Sequence, residues 1–174
     1  MIKSLISVFI VISFVATSQA SPIPPAPNLN VKAYVVMDFD SKMILASSNK
    51  DLTLPPASIT KMMTAYVAFT ELKEKNISLD EEILVSKKAW KTGGSKMFIE
   101  VGKRVKVRDI LQGVITVSGN DASVALAEHI SGDEKTFTTY MNQMASNLGL
   151  RNTNYTNSTG LPNDSLYTTA EDIA

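Results

Sequence analysis

The chain has 174 residues, of which 44% are apolar and 20% charged, and this composition suits one packed domain or part of a larger one. Basic and acidic residues both number 17, and the absence of a basic surplus argues against a nucleic-acid-binding protein. The sequence has no cysteine and one histidine, which excludes disulfides, thiol catalysis and multi-histidine metal sites.

The first twenty residues have the pattern of a secretory signal peptide. Lys3 provides a positive start, an apolar run covers Leu5 to Val15, and Ser18-Gln19-Ala20 supplies small residues for cleavage. A membrane anchor is the alternative, but the run is shorter than the roughly 18 to 20 apolar residues that span a bilayer. We therefore expect a signal peptide over 1–20, a proline-rich leader over 21–29 and a domain from residue 30 to residue 174.

The segment after the leader predicts a β-hairpin followed by a helix. Two β-rich runs, Ala33 to Asp38 and Met43 to Ser47, flank the turn residues Asp40-Ser41-Lys42. Helical spacing then predicts a helix from about Ser58 to Lys75. Its apolar stripe, which we expect to face the core, comprises Ile59, Met62, Met63, Tyr66 and Phe69.

The remaining chain alternates predicted helices with polar loops. A short strand is expected at Ile83 to Val85, and Trp90 to Lys96 is expected to be a glycine-bearing loop. Apolar periodicity predicts three more helices, at Val107–Val117, Ala122–Ile130 and Glu134–Leu148, the last ending before Gly149. Residues 151–164 are predicted to be a polar loop.

The end of the sequence carries a helix-start signal. Thr168-Thr169-Ala170-Glu171 matches a capping box, in which a threonine and a glutamate three residues later cap a helix N-terminus. The sequence stops three residues later, and so short a helix is unstable by itself. This pattern predicts that the 174 residues are the N-terminal part of a longer domain.

The first candidate for chemistry is the pair Ser58 and Lys61. Residues three apart on a helix lie on one face, with Cβ atoms about 5 to 6 Å apart. A lysine whose pKa is lowered by burial can take the proton from a serine hydroxyl and make it a nucleophile. The alternative is a serine cap followed by a surface lysine, which is the more frequent meaning of so short a pattern. The apolar Met62-Met63 that follow favour a buried lysine.

The second candidate is Ser118-Gly119-Asn120, a polar interruption between two strongly apolar segments. A buried polar loop needs hydrogen-bond partners, so its presence calls for a reason. Ser118 could relay a proton to a leaving amine, and Asn120 could bind a substrate amide. A simple turn with Asn120 or Asp121 as a helix cap is the alternative.

Taken together, the two motifs resemble the serine-type D-alanyl-D-alanine carboxypeptidases, which are low-molecular-mass penicillin-binding proteins. The resemblance extends over about residues 30–174 and includes the flanking sequences Pro56-Ala57-Ser58-Ile59-Thr60-Lys61-Met62-Met63 and Val117-Ser118-Gly119-Asn120-Asp121. It also includes Gly94-Ser95-Lys96-Met97-Phe98 and Thr159-Gly160-Leu161. The implied fold is α/β, of the β-lactamase/transpeptidase type, with a helical lobe and an antiparallel sheet truncated before its later strands.

The resemblance implies a role for each motif residue. Ser58 would form an acyl-enzyme, Lys61 would be its general base, and Ser118 with Asn120 would complete the proton path and bind substrate. The family also has a Lys-Thr-Gly motif on a strand after the Ser-x-Asn loop. Lys91-Thr92-Gly93 has these residues, but it precedes Ser118 and follows no β-rich run, so we interpret it as a chance match.

The resemblance implies an exported enzyme that removes the terminal D-Ala of peptidoglycan stem peptides and is acylated by penicillins, in the periplasm or on the outer face of the cytoplasmic membrane. It implies no metal and no organic cofactor, and it leaves open whether the full-length protein associates with the membrane. The alternatives are a D,D-endopeptidase, a β-lactamase and a non-catalytic cell-wall-binding protein. A β-lactamase would need a positioned carboxylate, and the acids after Ser118 do not occur in such a motif.

Overall fold

The computed structural model describes residues 25–26 and 28–174. The predicted signal peptide lies outside the described residues, as does most of the leader. Within the described part, the chain forms four short strands and six helices. In chain order they are β1 (Tyr34–Met37), β2 (Ile44–Ser48), α1 (Thr60–Lys73), β3 (Glu82–Leu84), α2 (Lys87–Lys91), β4 (Arg104–Lys106), α3 (Val107–Thr116), α4 (Asn120–Ser131), α5 (Glu134–Asn147) and α6 (Ala170–Ile173).

Strands β1 and β2 form the predicted antiparallel hairpin, with Tyr34 opposite Ser48. The turn is fixed by Asp38, whose Oδ1 accepts hydrogen bonds from the backbone N–H and the hydroxyl of Ser41, at 2.8 and 2.6 Å. Strand β3 was predicted, and it pairs antiparallel with β4, which was not. Strand β4 has one apolar residue, Val105, between two basic ones, and three residues are too few to show alternation.

Helix α4 lies at the centre of the helical part and contacts α1, α2, α3 and α5. Its small side chains allow this close packing on several sides, and its residues from Asn120 to Ala127 are buried. One apolar cluster lies on the side of α3 and β3, and a second lies between α1 and α5. The first includes Ile83, Ile110 and Leu126, and the second includes Val67, Phe137 and Met141.

The predicted core stripe of α1 is wrong in four of its five residues. Met63 is 5% exposed, but Met62 is 63% exposed, and Ile59, Tyr66 and Phe69 are also exposed. The residues that face the protein are smaller or polar: Thr60, Lys61, Met63, Thr64, Ala65, Val67 and Ala68. Apolar residues occur all around this helix, so the sequence pattern does not identify its buried face. The prediction chose the large side chains, but close packing against α4 requires the small ones.

Other boundaries of helices and loops also differ from the sequence prediction. A 3₁₀ turn over Ala57–Ile59 precedes α1, so Ser58 lies just before the α-helix. The predicted loop at 90–96 begins inside helix α2, whose first turn is capped by the hydroxyl of Ser86. The cap of α6 is Thr169, which accepts from the backbone N–H of Asp172 at 3.1 Å, one residue later than predicted.

Among residues 25–26 and 28–174, no helix has both the length and the apolar character needed to cross a membrane.

Candidate active site

The backbone before α1 brings Ser58 to an exposed position. Pro56 is buried, and Ala57 has a left-handed backbone conformation, with φ of 47°. Gly160 packs against the backbone of Ala57 so closely that it has no room for a Cβ atom. An L-residue in the left-handed region is strained, and such strain often occurs at functional sites. The result is a serine hydroxyl that projects from a fixed turn at the start of α1.

Lys61 lies in the first turn of α1, below Ser58, and is 5% exposed. Its Nζ lies 3.4 Å from Ser58 Oγ and donates to the backbone carbonyl of Thr159 at 2.6 Å. Burial of the ammonium group lowers the pKa of Lys61. A neutral amine that donates one N–H to Thr159 can direct its lone pair to the Ser58 hydroxyl, which is the geometry of a general base held by a third group.

Ser118 forms the other side of the same cavity. It lies between α3 and α4, with φ of 54°. Its Oγ is buried and makes no hydrogen bond to the described residues. Ser58, Lys61 and Ser118 line one cavity of about 450 Å³, and the rest of its wall is apolar: Met62, Ala65, Tyr66, Phe69, Val114 and Ile115. Three of the five side chains expected in the core, Met62, Tyr66 and Phe69, therefore form part of the wall of this cavity.

Asn120 does not line the cavity of Ser58 and Lys61, although it begins α4 directly after Gly119. Its Nδ2 donates to the carbonyl of Gly93 at 2.7 Å, and its backbone N–H donates to the carbonyl of Ser95 at 2.7 Å. A Cβ atom on Gly94 would lie 2.6 Å from Asn120 Nδ2, so the glycine is needed for this close approach. Asn120 thus attaches the 93–95 loop to the start of α4.

Lys91-Thr92-Gly93 lies at the end of α2 and not on a strand. Lys91 is exposed, and the hydroxyl of Thr92 donates to the carbonyl of Lys88 in the preceding helical turn. The carbonyl of Gly93 does contact Asn120. The segment therefore contacts Asn120, a predicted site residue, through one backbone carbonyl, and it forms the end of a helix and not part of a strand.

Two other groups near the candidate site, the Asp121 carboxylate and the Thr159 carbonyl, were not predicted from the sequence to take part in it. Asp121 is 1% exposed, and its carboxylate accepts from the backbone N–H groups of Met97, Phe98 and Ile99 at 2.9, 2.9 and 3.2 Å. The sequence offered it only as a helix cap. The carbonyl of Thr159 was also missed, because a backbone acceptor has no signature in a side-chain pattern.

Comparisons with known proteins agree on one family. The sequence profile described as D-alanyl-D-alanine carboxypeptidase matches residues 18–174. The D-alanyl-D-alanine carboxypeptidase DacA of Haemophilus influenzae is 43% identical over 151 residues, which are 85% of this chain and 38% of that protein. The chain thus spans about two fifths of the length of this curated relative.

Solved structures show the same fold. The D-alanyl-D-alanine carboxypeptidase DacD from Francisella tularensis matches with a TM-score of 0.85 and 44% identity, over 90% of this chain and 38% of that one. Penicillin binding protein 5 from Haemophilus influenzae matches with a TM-score of 0.85 and 42% identity, over 88% of this chain and 45% of that one.

The helices and small antiparallel sheets of this chain are therefore an α/β part of the penicillin-binding, transpeptidase-like fold, as predicted from the sequence. Among proteins of that class, the chain belongs to the D-alanyl-D-alanine carboxypeptidase family.

Proposed function

We propose that the protein is a serine-type D-alanyl-D-alanine carboxypeptidase that removes the terminal D-Ala from peptidoglycan stem peptides. The observation that carries the proposal is the buried Lys61, whose Nζ is 3.4 Å from Ser58 Oγ and is oriented by the Thr159 carbonyl. A lysine with a lowered pKa beside a serine is a base and nucleophile pair suited to acyl transfer. Family membership supports the substrate class.

In the proposed mechanism, Lys61 takes the proton of the Ser58 hydroxyl as Oγ attacks the carbonyl carbon of the penultimate D-Ala. The C–N bond of the tetrahedral intermediate then breaks, and the leaving D-Ala amine receives a proton from Lys61 through Ser118. Water attacks the ester with Lys61 again as base, which releases the shortened peptide and restores Ser58. Ser118 suits the relay because it lines the same cavity and its Oγ is not engaged by the described residues.

Asn120 has the remaining proposed role, which is to bind the substrate amide. Its Nδ2 is engaged by Gly93, and the amide side chain is held by the 93–95 loop. In this role Oδ1 would be the atom that accepts a hydrogen bond from substrate, and the loop would orient it. A penicillin would acylate Ser58 by the same attack, opening the lactam while its amine stays tethered.

Export follows from the proposal, because peptidoglycan lies outside the cytoplasmic membrane. The proposed domain organisation is a signal peptide over 1–20, a leader over 21–29 and the N-terminal part of the catalytic domain over 30–174, with the profile match from residue 18 in support of the last. The proposed site of action is the periplasm or the outer face of the membrane.

Labelling with a fluorescent penicillin tests the proposal in the full-length protein. We expect stable label on the wild type, no label on Ser58→Ala, and normal label on Ser47→Ala, since Ser47 is exposed on the hairpin. Label that persists on Ser58→Ala would remove Ser58 from the mechanism. Peptides ending in D-Ala-D-Ala and cross-linked peptides, assayed side by side, separate the carboxypeptidase from an endopeptidase.

The same label separates two other candidates. A β-lactamase would release the label rapidly, and a binding protein would take none. No carboxylate lines the cavity of Ser58 and Lys61 in the described part of the chain, which favours slow deacylation of a penicillin over β-lactamase turnover.

A further inference from the structure

A buried carboxylate outside the cavity is connected to the base. Glu134 begins α5, and its side chain is 13% exposed. Its Oε1 accepts from the backbone N–H and the hydroxyl of Ser158, at 3.0 and 2.8 Å, and its Oε2 pairs with Lys88 Nζ at 2.8 Å. Burial alone would raise the pKa of Glu134, but the bonds from Lys88 and Ser158 outweigh it and hold the pKa below its ordinary value.

Ser158 is the residue before the acceptor of the lysine. It is fully buried, and its own carbonyl accepts from the hydroxyl of Thr64 at 2.7 Å. The next carbonyl along the chain, that of Thr159, accepts from Lys61. Glu134 therefore holds the N–H and the hydroxyl of Ser158, and Thr64 holds its carbonyl, so that both backbone groups of the residue before Thr159 are bound.

Hydrogen bonds to the side chain of Asn157 hold the 157–161 loop together. The groups that bind this loop therefore set the position of the Thr159 carbonyl. Asn157 Oδ1 accepts from the backbone N–H and hydroxyl of Thr159 at 3.1 and 3.0 Å, and from the N–H of Gly160 at 2.7 Å. A shift of Ser158 would move the Thr159 carbonyl with it, and a site displaced by about 1 Å can lose about 100-fold in rate.

We propose that Glu134 is a positioning residue for the reaction: through Ser158 it holds the 157–161 loop so that the Thr159 carbonyl orients the amine of Lys61. This inference rests on the proposed function, since it assigns the means by which that function's base is kept in place. Glu134 touches no reacting atom, and it lies outside the cavity wall.

The two hydrogen bonds from Ser158 to Glu134 are expected to matter more for this positioning than the ion pair between Glu134 and Lys88. Lys88 is 55% exposed, and ion pairs with an exposed partner contribute little because water screens them. The charged group that contacts Glu134 is Lys88 of α2, and the polar groups that contact Lys61 Nζ are Ser58 and Thr159. A glutamine at 134 can still accept both bonds from Ser158 through its amide oxygen, whereas an alanine cannot.

Three variants of the full-length protein test this: Glu134→Ala, Glu134→Gln and Lys88→Met. The measurements are the rate constant of acylation by a fluorescent penicillin over a pH series and the melting temperature. We expect Glu134→Ala to acylate about 10- to 100-fold more slowly. Water that enters beside Lys61 would solvate its ammonium and raise its pKa, so the ascending limb of the pH profile should move to higher pH. Glu134→Gln and Lys88→Met should stay within about threefold of wild type.

Three results would overturn the inference. The first is an acylation rate of Glu134→Ala equal to that of the wild type, and the second is a loss of acylation rate that is the same at every pH and equals the unfolded fraction. The third is a Glu134→Gln variant that acylates as slowly as Glu134→Ala. Failure of the wild type to label at Ser58 would instead overturn the proposed function. In that case NMR of ¹⁵N-labelled lysine side chains still tests the inference. The pKa of Lys61 should rise in Glu134→Ala, and an unchanged pKa would contradict it.

Discussion

The two faces of helix α1 are not divided into apolar and polar as in a typical amphipathic helix, because apolar residues occur on both the buried and the exposed face. The buried face carries Thr60, Lys61 and Thr64, whereas the face toward the cavity carries Met62 and Phe69. Two of the buried polar groups have a defined partner, since Lys61 bonds to Thr159 and Thr64 to Ser158. The polar residues of the buried face therefore bind the loop that contains Ser158 and Thr159, while the exposed apolar residues form the cavity wall beside Ser58.

The largest effect is expected when the proposed base, Lys61, is removed from the buried face. We expect Lys61→Met to reduce penicillin acylation by about 10² to 10⁴-fold, the usual contribution of a general base. Lys73→Met is the matched control, because Lys73 is exposed at the end of the same helix, and it should acylate normally. Equal rates for both variants would mean that burial of Lys61 has no part in the chemistry.

The next test removes the space between the turn that precedes α1 and the loop that contains Gly160. Gly160→Ala would bring a Cβ atom into the backbone of Ala57, and overpacking of this kind costs roughly 1 to 3 kcal/mol in the free energy of unfolding. Gly149→Ala is a close control, since Gly149 has a φ of 81° against 82° for Gly160 but has open space where a Cβ would go. Denaturant titration should show the larger loss for Gly160→Ala, and similar losses would attribute the effect to φ alone.

A loss of stability of similar size is expected when the hydrogen bond from Thr64 to Ser158 is removed. Thr64→Val leaves the buried Ser158 carbonyl without its partner, which costs about 1 to 3 kcal/mol in the free energy of unfolding. Thr70→Val, on the exposed part of α1, removes only a hydroxyl that bonds within the helix and should cost less. The melting temperatures of the two variants measure this difference. A lower melting temperature for Thr70→Val than for Thr64→Val would contradict the prediction.

The pH dependence of the free energy of unfolding tests the burial of Lys61. The pKa of Lys61 in the folded state is below the 10.5 of an unperturbed lysine, so the unfolded chain binds more protons between the two values. The contribution of Lys61 to the free energy of unfolding therefore rises as the pH rises through that window. Lys61→Met should flatten this part of the curve, and an unchanged slope would contradict a buried lysine.

The smallest expected effect distinguishes two neighbouring methionines. Met62 is 63% exposed and Met63 is 5% exposed, so mild peroxide should oxidise Met62 first in the 174-residue chain, as read by mass spectrometry of peptides. The same experiment on the full-length protein measures whether another segment covers the apolar face. Equal oxidation of both residues in the 174-residue chain would contradict the assignment of the two faces.

The sequence predicted those parts of the site that depend on side chains at fixed spacing. Ser58 and Lys61 were found because a helical turn brings residues three apart together, and Ser118 because a polar loop between apolar helices is unusual. The hairpin was found from Asp-Ser-Lys turn chemistry. The proton relay, the base and the amide-binding role of these residues stay predictions until the variants are assayed.

The sequence could not predict what depends on tertiary contact. Thr159 acts through a backbone carbonyl that any residue could supply, and Asp121 binds three N–H groups more than twenty residues away in the chain. The prediction of which face of α1 is buried was wrong for the same reason. Periodicity selects large hydrophobic side chains, whereas the orientation of the helix depends on the fit of small residues against α4.

The bond between Lys61 and Thr159 also has a consequence for the order of folding. The two residues are 98 positions apart, and the bond from Thr64 to Ser158 spans 94. Contacts of such long sequence separation form late, after the loops between them have closed. Before these contacts form, the amine of Lys61 is exposed to water, so under the proposed mechanism Ser58 would lack its general base. Under the proposed mechanism, the reactivity of Ser58 would therefore depend on the docking of the segment around Thr159, and a chain without this contact would not be acylated.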